Sequence, residues 1–420
     1  MTVKPLKFVV WRLSNSPHRP FAYRITLLLV LLLAACGQPN TEITPTAGFA
    51  PSGPDSLTPT PIRWVEGASP ITLDNVEQIA YLGRLDAPGT PSTVFAYALS
   101  PDSTRLIGLN NDLILGWNLL TGDLLFQTSR GDSARVFYSP DKTEFYTLTI
   151  GGNLAAYDAE TGVFKTQFTT FENYNGITTY DSENGWLALG GLDGTVQVWD
   201  LLGRQMLAAL DAHDLSISAL AFNQNGTWLA SGSGGGKITI WEWQTSMPVV
   251  NITMGANRTP LRLAFAPDNA QLASVTVNEM QLWSTADGSL KHALDIGPGG
   301  ATELSLYSPD GRFLVNGGNV PTMIVWNPAD GSVLNVLPGV GGDRTSAAFS
   351  PGSDLLVTAV LGKPVALWDT TYFGDESLQQ ASLPLASNTI FSLAWTSDGY
   401  LIILFDATGP IHVWGIAPPG

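Results

Sequence analysis

The chain has 420 residues, 44% hydrophobic and only 13% charged, with 43 glycines, a balance that suits many short buried strands joined by tight turns and excludes disorder throughout. Its formal net charge is -16, and the first 35 residues hold five of the 20 basic side chains and none of the 36 acidic ones. A body freed of that segment is more acidic still, which favours a soluble monomer and, because phosphate backbones are bound by neutralising them with Lys and Arg, excludes nucleic acid as a partner.

Residues 1–24 are basic, and Ile25 to Ala35 (ITLLLVLLLAA) form an apolar run that meets Cys36-Gly37 directly. This is the layout of a secretory signal. Eleven helical residues span about 16 Å against a hydrocarbon core of about 30 Å, too short for a comfortable membrane span. Leu33-Ala34-Ala35-Cys36 resembles the lipobox of bacterial lipoproteins. That resemblance implies a signal peptide over 1–35, cleavage before Cys36, and acyl chains on that residue; two or more such chains suffice for stable anchoring. Residues 36–70 then read as the lipidated Cys and a disordered Pro-, Thr- and Ser-rich tether, with no periodicity that could bury a face.

From Val94 onward one pattern recurs: an apolar strand, a turn, a second strand, a Gly or Asn/Asp turn, and a strand ending in an aromatic residue. The first turns are Ser100-Pro101-Asp102, Ser139-Pro140-Asp141, Ala266-Pro267-Asp268, Ser308-Pro309-Asp310, Ser350-Pro351-Gly352 and Thr396-Ser397-Asp398, with Asn184-Gly185 and Asn225-Gly226 in the remaining two units. Proline presets φ and Asp or Gly completes such hairpin connections. The strand-end aromatics are Trp117, Tyr157, Trp199, Trp241, Trp283, Trp326, Trp368 and Trp414, spaced by 40, 42, 42, 42, 43, 42 and 46 residues. A period of about 40–45 with a terminal Trp-Asp, complete at Trp199-Asp200 and Trp368-Asp369, resembles the WD40-repeat family over residues 71–416.

The resemblance implies an all-β propeller of four-stranded blades, eight by this count, with seven as the alternative. A fourth apolar stretch follows most of the aromatics, as in Gln205 to Leu210, but only six residues follow Trp414. Propellers of this family close by pairing an amino-terminal strand into the last blade, so Ile79–Leu85 is expected to complete the unit of Trp414. In full repeats a His, a Ser or Thr, the Trp and an Asp form a structural hydrogen-bond network. Here His213, Ser231 and Trp241 match it, with Gly235 where the Asp would stand, while Asp193 and Trp199 match in the preceding unit.

Catalysis requires an activated group held near a partner, and the sequence offers no metal-ligand spacing, no phosphate-binding loop and no nucleophile elbow. Gly232 to Gly236 is glycine-rich but sits between two strands with no following helix. Neither a cofactor nor a metal is expected. Loops leading into the first strands carry Arg130, Asp132, Phe171, Tyr174, Asp214, Arg258 and Arg344, and aromatic and Arg side chains are those that anchor interfaces. The expected function is a non-catalytic protein- or peptide-binding scaffold held by lipid outside a bacterial cytoplasmic membrane. The alternatives are a propeller enzyme acting on an extracytoplasmic polymer or glycan and a ligand-sensing module, since one ring hosts all three.

Overall fold

Short strands that alternate in polarity and are separated by tight turns bury their apolar faces by stacking sheet on sheet. A computed structural model describes residues 69–86, 92–255, 258–297, 304–317, 322–337, 340, 345–375, 380–383 and 388–416. Cys36, the tether to residue 68 and Arg344 lie outside the described residues. Among those described, the strands form eight antiparallel four-stranded sheets, seven pairing in simple up-and-down order and the eighth taking its outer strand from Ile79–Leu85. The body is an eight-bladed, all-β propeller, and the seven-blade count is set aside.

The first strands of the blades are Ala96–Leu99, Ser133–Tyr138, Tyr174–Asp181, Ile217–Phe222, Arg262–Phe265, Leu304–Tyr307, Thr345–Phe349 and Ile390–Trp395. They are the innermost: Tyr97 donates its hydroxyl to the Leu393 carbonyl at 3.0 Å, and Phe137 packs on Tyr180 with ring centroids 5.0 Å apart. The fourth strands form the rim and alternate exposed with buried residues, as in Gln205–Asp211. The cores lie between adjacent blades. Trp117, Leu106 and Leu115 of the first blade, for example, pack with Ile403, Phe405 and Val413 of the eighth.

Closure follows the strand deficit of the last unit. Ile79–Leu85 pairs antiparallel with Ile411–Ile416, Tyr81 opposite Trp414 and Leu85 opposite Ile411, with one irregularity between Tyr81 and Gly83. The pairing removes the sheet edge that Trp414's strand would otherwise present.

The Ser-Pro-Asp turns have a common construction. The Ser100 hydroxyl donates to Asp102 Oδ1 at 2.7 Å and accepts the Arg105 backbone N–H at 2.9 Å; Ser139, Ser308 and Thr396 repeat both bonds in their own blades. Asn223 replaces the serine where the turn reads Asn225-Gly226, accepting the Trp228 N–H at 2.7 Å. Burial alone would raise the Asp102 pKa, but hydrogen bonds from Ser100, Thr104 and Lys142 outweigh it and hold the carboxyl at about 2. Asp141 and Asp310 are lowered by the same balance of burial against turn hydrogen bonds. A carboxyl depressed on folding stabilises above its unfolded pKa of about 3.9 and loses that contribution as pH falls toward its folded value. Thermal melts are therefore expected to hold level down to about pH 4 and to drop between pH 4 and 2. Asp102→Asn should flatten part of that slope, and an unchanged slope would show that the turn carboxylates are not its source.

Candidate functional site

The repeat aromatics are blade-building residues. Trp241 Nε1 donates to Ser231 Oγ at 2.9 Å, and buried His213 meets the same oxygen through Nε2 at 2.8 Å. Burial, the largest influence, lowers the His213 pKa, which suits a neutral structural imidazole. Equivalent indole bonds run from Trp283 to Ser274, Trp326 to Asn316 and Trp368 to Thr358. Gly194, at φ +87°, lies where a Cβ would come 1.9 Å from the His213 carbonyl oxygen, so close packing of loops adds to the network. Asp193 accepts bonds from Thr195 and Asn173 instead of joining the histidine set.

Antiparallel order puts the second-to-third-strand turns and the blade-to-blade loops on one face, here called upper, and the first-to-second and third-to-fourth turns on the other. Large exposed apolar side chains divide unequally between the faces. The upper face carries Phe95, Ile150, Leu192, Leu215, Leu261, Val277 and Leu361, with Ile150 76% and Leu192 64% exposed. Among the described residues the lower face has two counterparts, Val163 and Leu202; the other large exposed apolar residues lie on rim strands. Ile150, Leu192 and Leu361 each stand directly after a second strand, in a turn that is closed by glycine. The sequence does not single these residues out as binding residues, because turns that tight are normally polar. An apolar residue just before Gly-Gly, Asp-Gly or Gly-Lys was the available signal.

Below this face the channel opens into connected voids. One of about 500 Å³ is bordered by Phe95, Tyr97, Arg135, Phe137, Ile150 and Tyr174. A second, of about 330 Å³, shares Arg135 and Gly176 with it and adds Thr178, Ser218, Arg262 and Ser305. A third, of about 700 Å³, continues toward the lower face past Tyr97, Phe137, Tyr180 and Trp395, with Glu183 near its far end. On the lower face a cleft of about 370 Å³ between the first two blades is lined by charges that pair with one another or with near neighbours, including Asp102 with Lys142 at 3.3 Å and Asp158 with Lys165 at 3.4 Å. Among the described residues no group of three His, Cys, Asp or Glu is placed to hold a metal.

The loop residues singled out from sequence do not converge. Arg130 is committed to backbone nearby, donating to the carbonyls of Asn111 in the adjoining turn and of Ser133, with its guanidinium 5.5 Å from the Phe95 ring centroid. Phe171 is buried in the core between the second and third blades, packed with Leu148, Leu154 and Leu189, because its loop folds back over the sheet; it is unavailable to a partner. Tyr174 alone borders the channel mouth. Asp214 is exposed and meets Lys237 at 3.4 Å, and Arg258 pairs with Glu279 at 2.7 Å.

Blades of this kind, closed by an amino-terminal strand and braced by Trp-to-hydroxyl bonds, define a WD40-type β-propeller. The chain belongs to the family described as Nucleolar protein 10-like, N-terminal domain, whose profile matches residues 95–331, more than half of the chain. It is 28% identical to pig (Sus scrofa) cilia- and flagella-associated protein 52 over 43% of this chain and 29% of that protein. It is 25% identical to Arabidopsis thaliana periodic tryptophan protein 2 over 53% of this chain and 24% of that one. The chain thus spans under a third of the length of either relative. Among solved structures it resembles the computationally designed Ika8 protein (TM-score 0.64, 21% identity, 79% of this chain and 99% of that one). Chaetomium thermophilum Sqt1 bound to the N-terminus of ribosomal protein L10 is similar too (TM-score 0.64, 15% identity, 79% of this chain and 98% of that one).

Proposed function

We propose that this chain is a non-catalytic protein-interaction scaffold that receives its partner on the upper face, and that a lipid on Cys36 and the Pro/Thr-rich tether hold it on the outer side of a bacterial membrane. The observation that carries the docking reading is the uneven distribution of exposed apolar side chains: seven in the turns and loops of the upper face, of which Phe95 and Ile150 border the channel void, against Val163 and Leu202 below, among the described residues. Apolar side chains gathered on one face of a rigid ring, rimmed by polar loops, mark an interaction surface. Among the described residues that line the two upper voids there is no carboxylate, the group that an enzyme acting on a glycan would need there. Sqt1, similar in fold, binds a peptide terminus, which supports a peptide-receiving propeller here. The anchoring reading rests on the lipobox and on the apolar run before it.

The full-length protein in its own membrane tests both parts. A photo-crosslinking residue at Leu192 or Ile150 is expected to trap a partner, and one at Leu202 is not. The double change Ile150→Asp and Leu192→Asp should cut capture about tenfold, a loss of the size expected for two interface anchors. Equal trapping from both faces would overturn the docking reading. Loss of incorporated fatty acid in Cys36→Ala is the expected outcome for the anchor, and unchanged labelling would overturn it.

A further inference from the structure

The void of about 500 Å³ at the upper mouth and the void of about 700 Å³ beneath it share Tyr97, Val136 and Phe137 in their walls, so the two meet at the level of those residues. Their charges differ. Among the described residues Arg135 is the one charged side chain that borders the first, and Glu183 the one that borders the second. Glu183 lies in the turn after the third blade's first strand, with its backbone N–H held by Asp181 Oδ1 at 3.0 Å and its side chain exposed. The same sign surrounds it: the turns after the first strands of seven blades carry an Asp or Glu, against Lys142 and Arg312 as the basic residues there. Three residues before Glu183, Tyr180 packs on Phe137 with ring centroids 5.0 Å apart, and both rings border the lower void. The Tyr180 hydroxyl donates to the Tyr138 carbonyl at 2.6 Å, which fixes that ring, and both rings keep part of their surface exposed. Aromatic faces attract cations most strongly where water is scarce.

We infer that an extended segment of the partner runs down the channel from the upper face, sets an apolar side chain against Phe95, Ile150 and Tyr174, and seats a Lys or Arg side chain on the Phe137 and Tyr180 rings beside Glu183. The inference rests on the upper-face docking reading and adds the sequence that the docked segment must carry. One strand supplies the spacing. Tyr174 borders the upper void and Tyr180 the lower, six positions apart on Tyr174–Asp181. At about 3.3 Å per residue that is roughly 20 Å, so the apolar and basic residues of an extended segment stand about five to seven positions apart. Like charges repel and opposite charges attract across a narrow passage with low-dielectric walls, so Arg135 keeps the cation out of the upper void and Glu183 draws it into the lower one.

A random peptide library displayed on phage and selected on the full-length protein tests this. The expected result is enrichment of sequences that pair an aromatic or aliphatic residue with Lys or Arg about six positions away. A fluorescein-labelled enriched peptide should bind about tenfold more weakly when its basic residue is changed to Gln, and about tenfold more weakly to Glu183→Gln, an exposed change that should leave the thermal melt in place. Added salt should weaken it as well. Glu183→Lys reverses the site and is expected to prefer the same peptide with Glu in place of its basic residue, a rescue that a merely structural role for Glu183 would not give. Ile150→Asp should weaken the peptide through its apolar end. Failure to enrich any peptide, enrichment without a basic preference, a basic preference that persists in both Glu183 variants, or binding that ignores Ile150→Asp would overturn the inference. The docking reading falls by a different result, the absence of partner crosslinks from Ile150 and Leu192, and stands if those crosslinks form while the peptides show no basic preference.

Discussion

Deleting residues 71–90 is expected to lower the thermal midpoint by roughly 5–10 °C and to leave the protein prone to aggregate. The deletion removes Ile79–Leu85, the fourth strand of the last blade. Leu85, 1% exposed, sits among Trp117, Ile403, Phe405 and Val413 where the eighth blade meets the first. Ile71, nearly as buried, belongs to the cluster between the seventh and eighth blades, where Leu73, Val76 and Ile79 pack beside it, and its backbone N–H binds the Gly399 carbonyl at 2.9 Å. Burying an aliphatic side chain fully is worth about 1.5–3 kcal/mol, so losing two with their half-buried neighbours amounts to about 5 kcal/mol. With an unfolding entropy of about 2.1 cal/mol/K per residue, each kcal/mol moves the midpoint of a propeller this long by about 1–2 °C. The same deletion bares the Ile411–Ile416 edge, a template for pairing with another chain. Calorimetry and light scattering read the two effects. Leu85→Asp, which leaves the strand in place and puts a charge in its core, should show the thermal loss alone. A deletion variant that melts like the wild type would mean that the ring closes without this strand.

That closure was legible because a count of strands exposes a deficit. Each unit needs four, the last has three, and Ile79–Leu85 was an unpaired alternating stretch. The blade count was legible for a similar reason: turns such as Ser100-Pro101-Asp102 combine a preset φ, a side-chain acceptor and a free hydroxyl, a chemistry with few other uses. The binding surface was harder to read. Phe171 and Ile150 both occupy loops, one buried and the other 76% exposed, and nothing in their neighbours' polarity separates them; the difference depends on which way each loop crosses the adjoining blade. Phe137 and Tyr180 were missed for the opposite reason. Both lie within strands, where alternation assigns one face to the core, and whether the other meets solvent or a channel is decided only when eight first strands stand around one axis. Residues that build blades repeat and can be recognised from one chain, whereas residues that bind need not repeat.

Trp368→Ala should therefore unfold the protein more easily without changing what its folded fraction binds. Trp368 is fully buried where the sixth and seventh blades meet, among Phe313, Val325, Phe349 and Leu356, and its Nε1 donates to Thr358 Oγ1 at 2.9 Å. Removing an indole from such a core costs about 3–5 kcal/mol through lost burial and the cavity left behind. Trp368→Phe keeps much of the volume but leaves the Thr358 hydroxyl without its donor, costing about 1–3 kcal/mol. The order wild type, Phe, Ala should appear in denaturant midpoints. Leu192→Asp supplies the contrast: at 64% exposure it should shift stability by no more than about 0.5 kcal/mol while weakening partner capture. If Trp368→Ala, measured at equal folded concentration, lost binding as sharply as Leu192→Asp, the repeat tryptophans would have to be counted among the binding residues, and the separation of scaffold from surface in this propeller would fail.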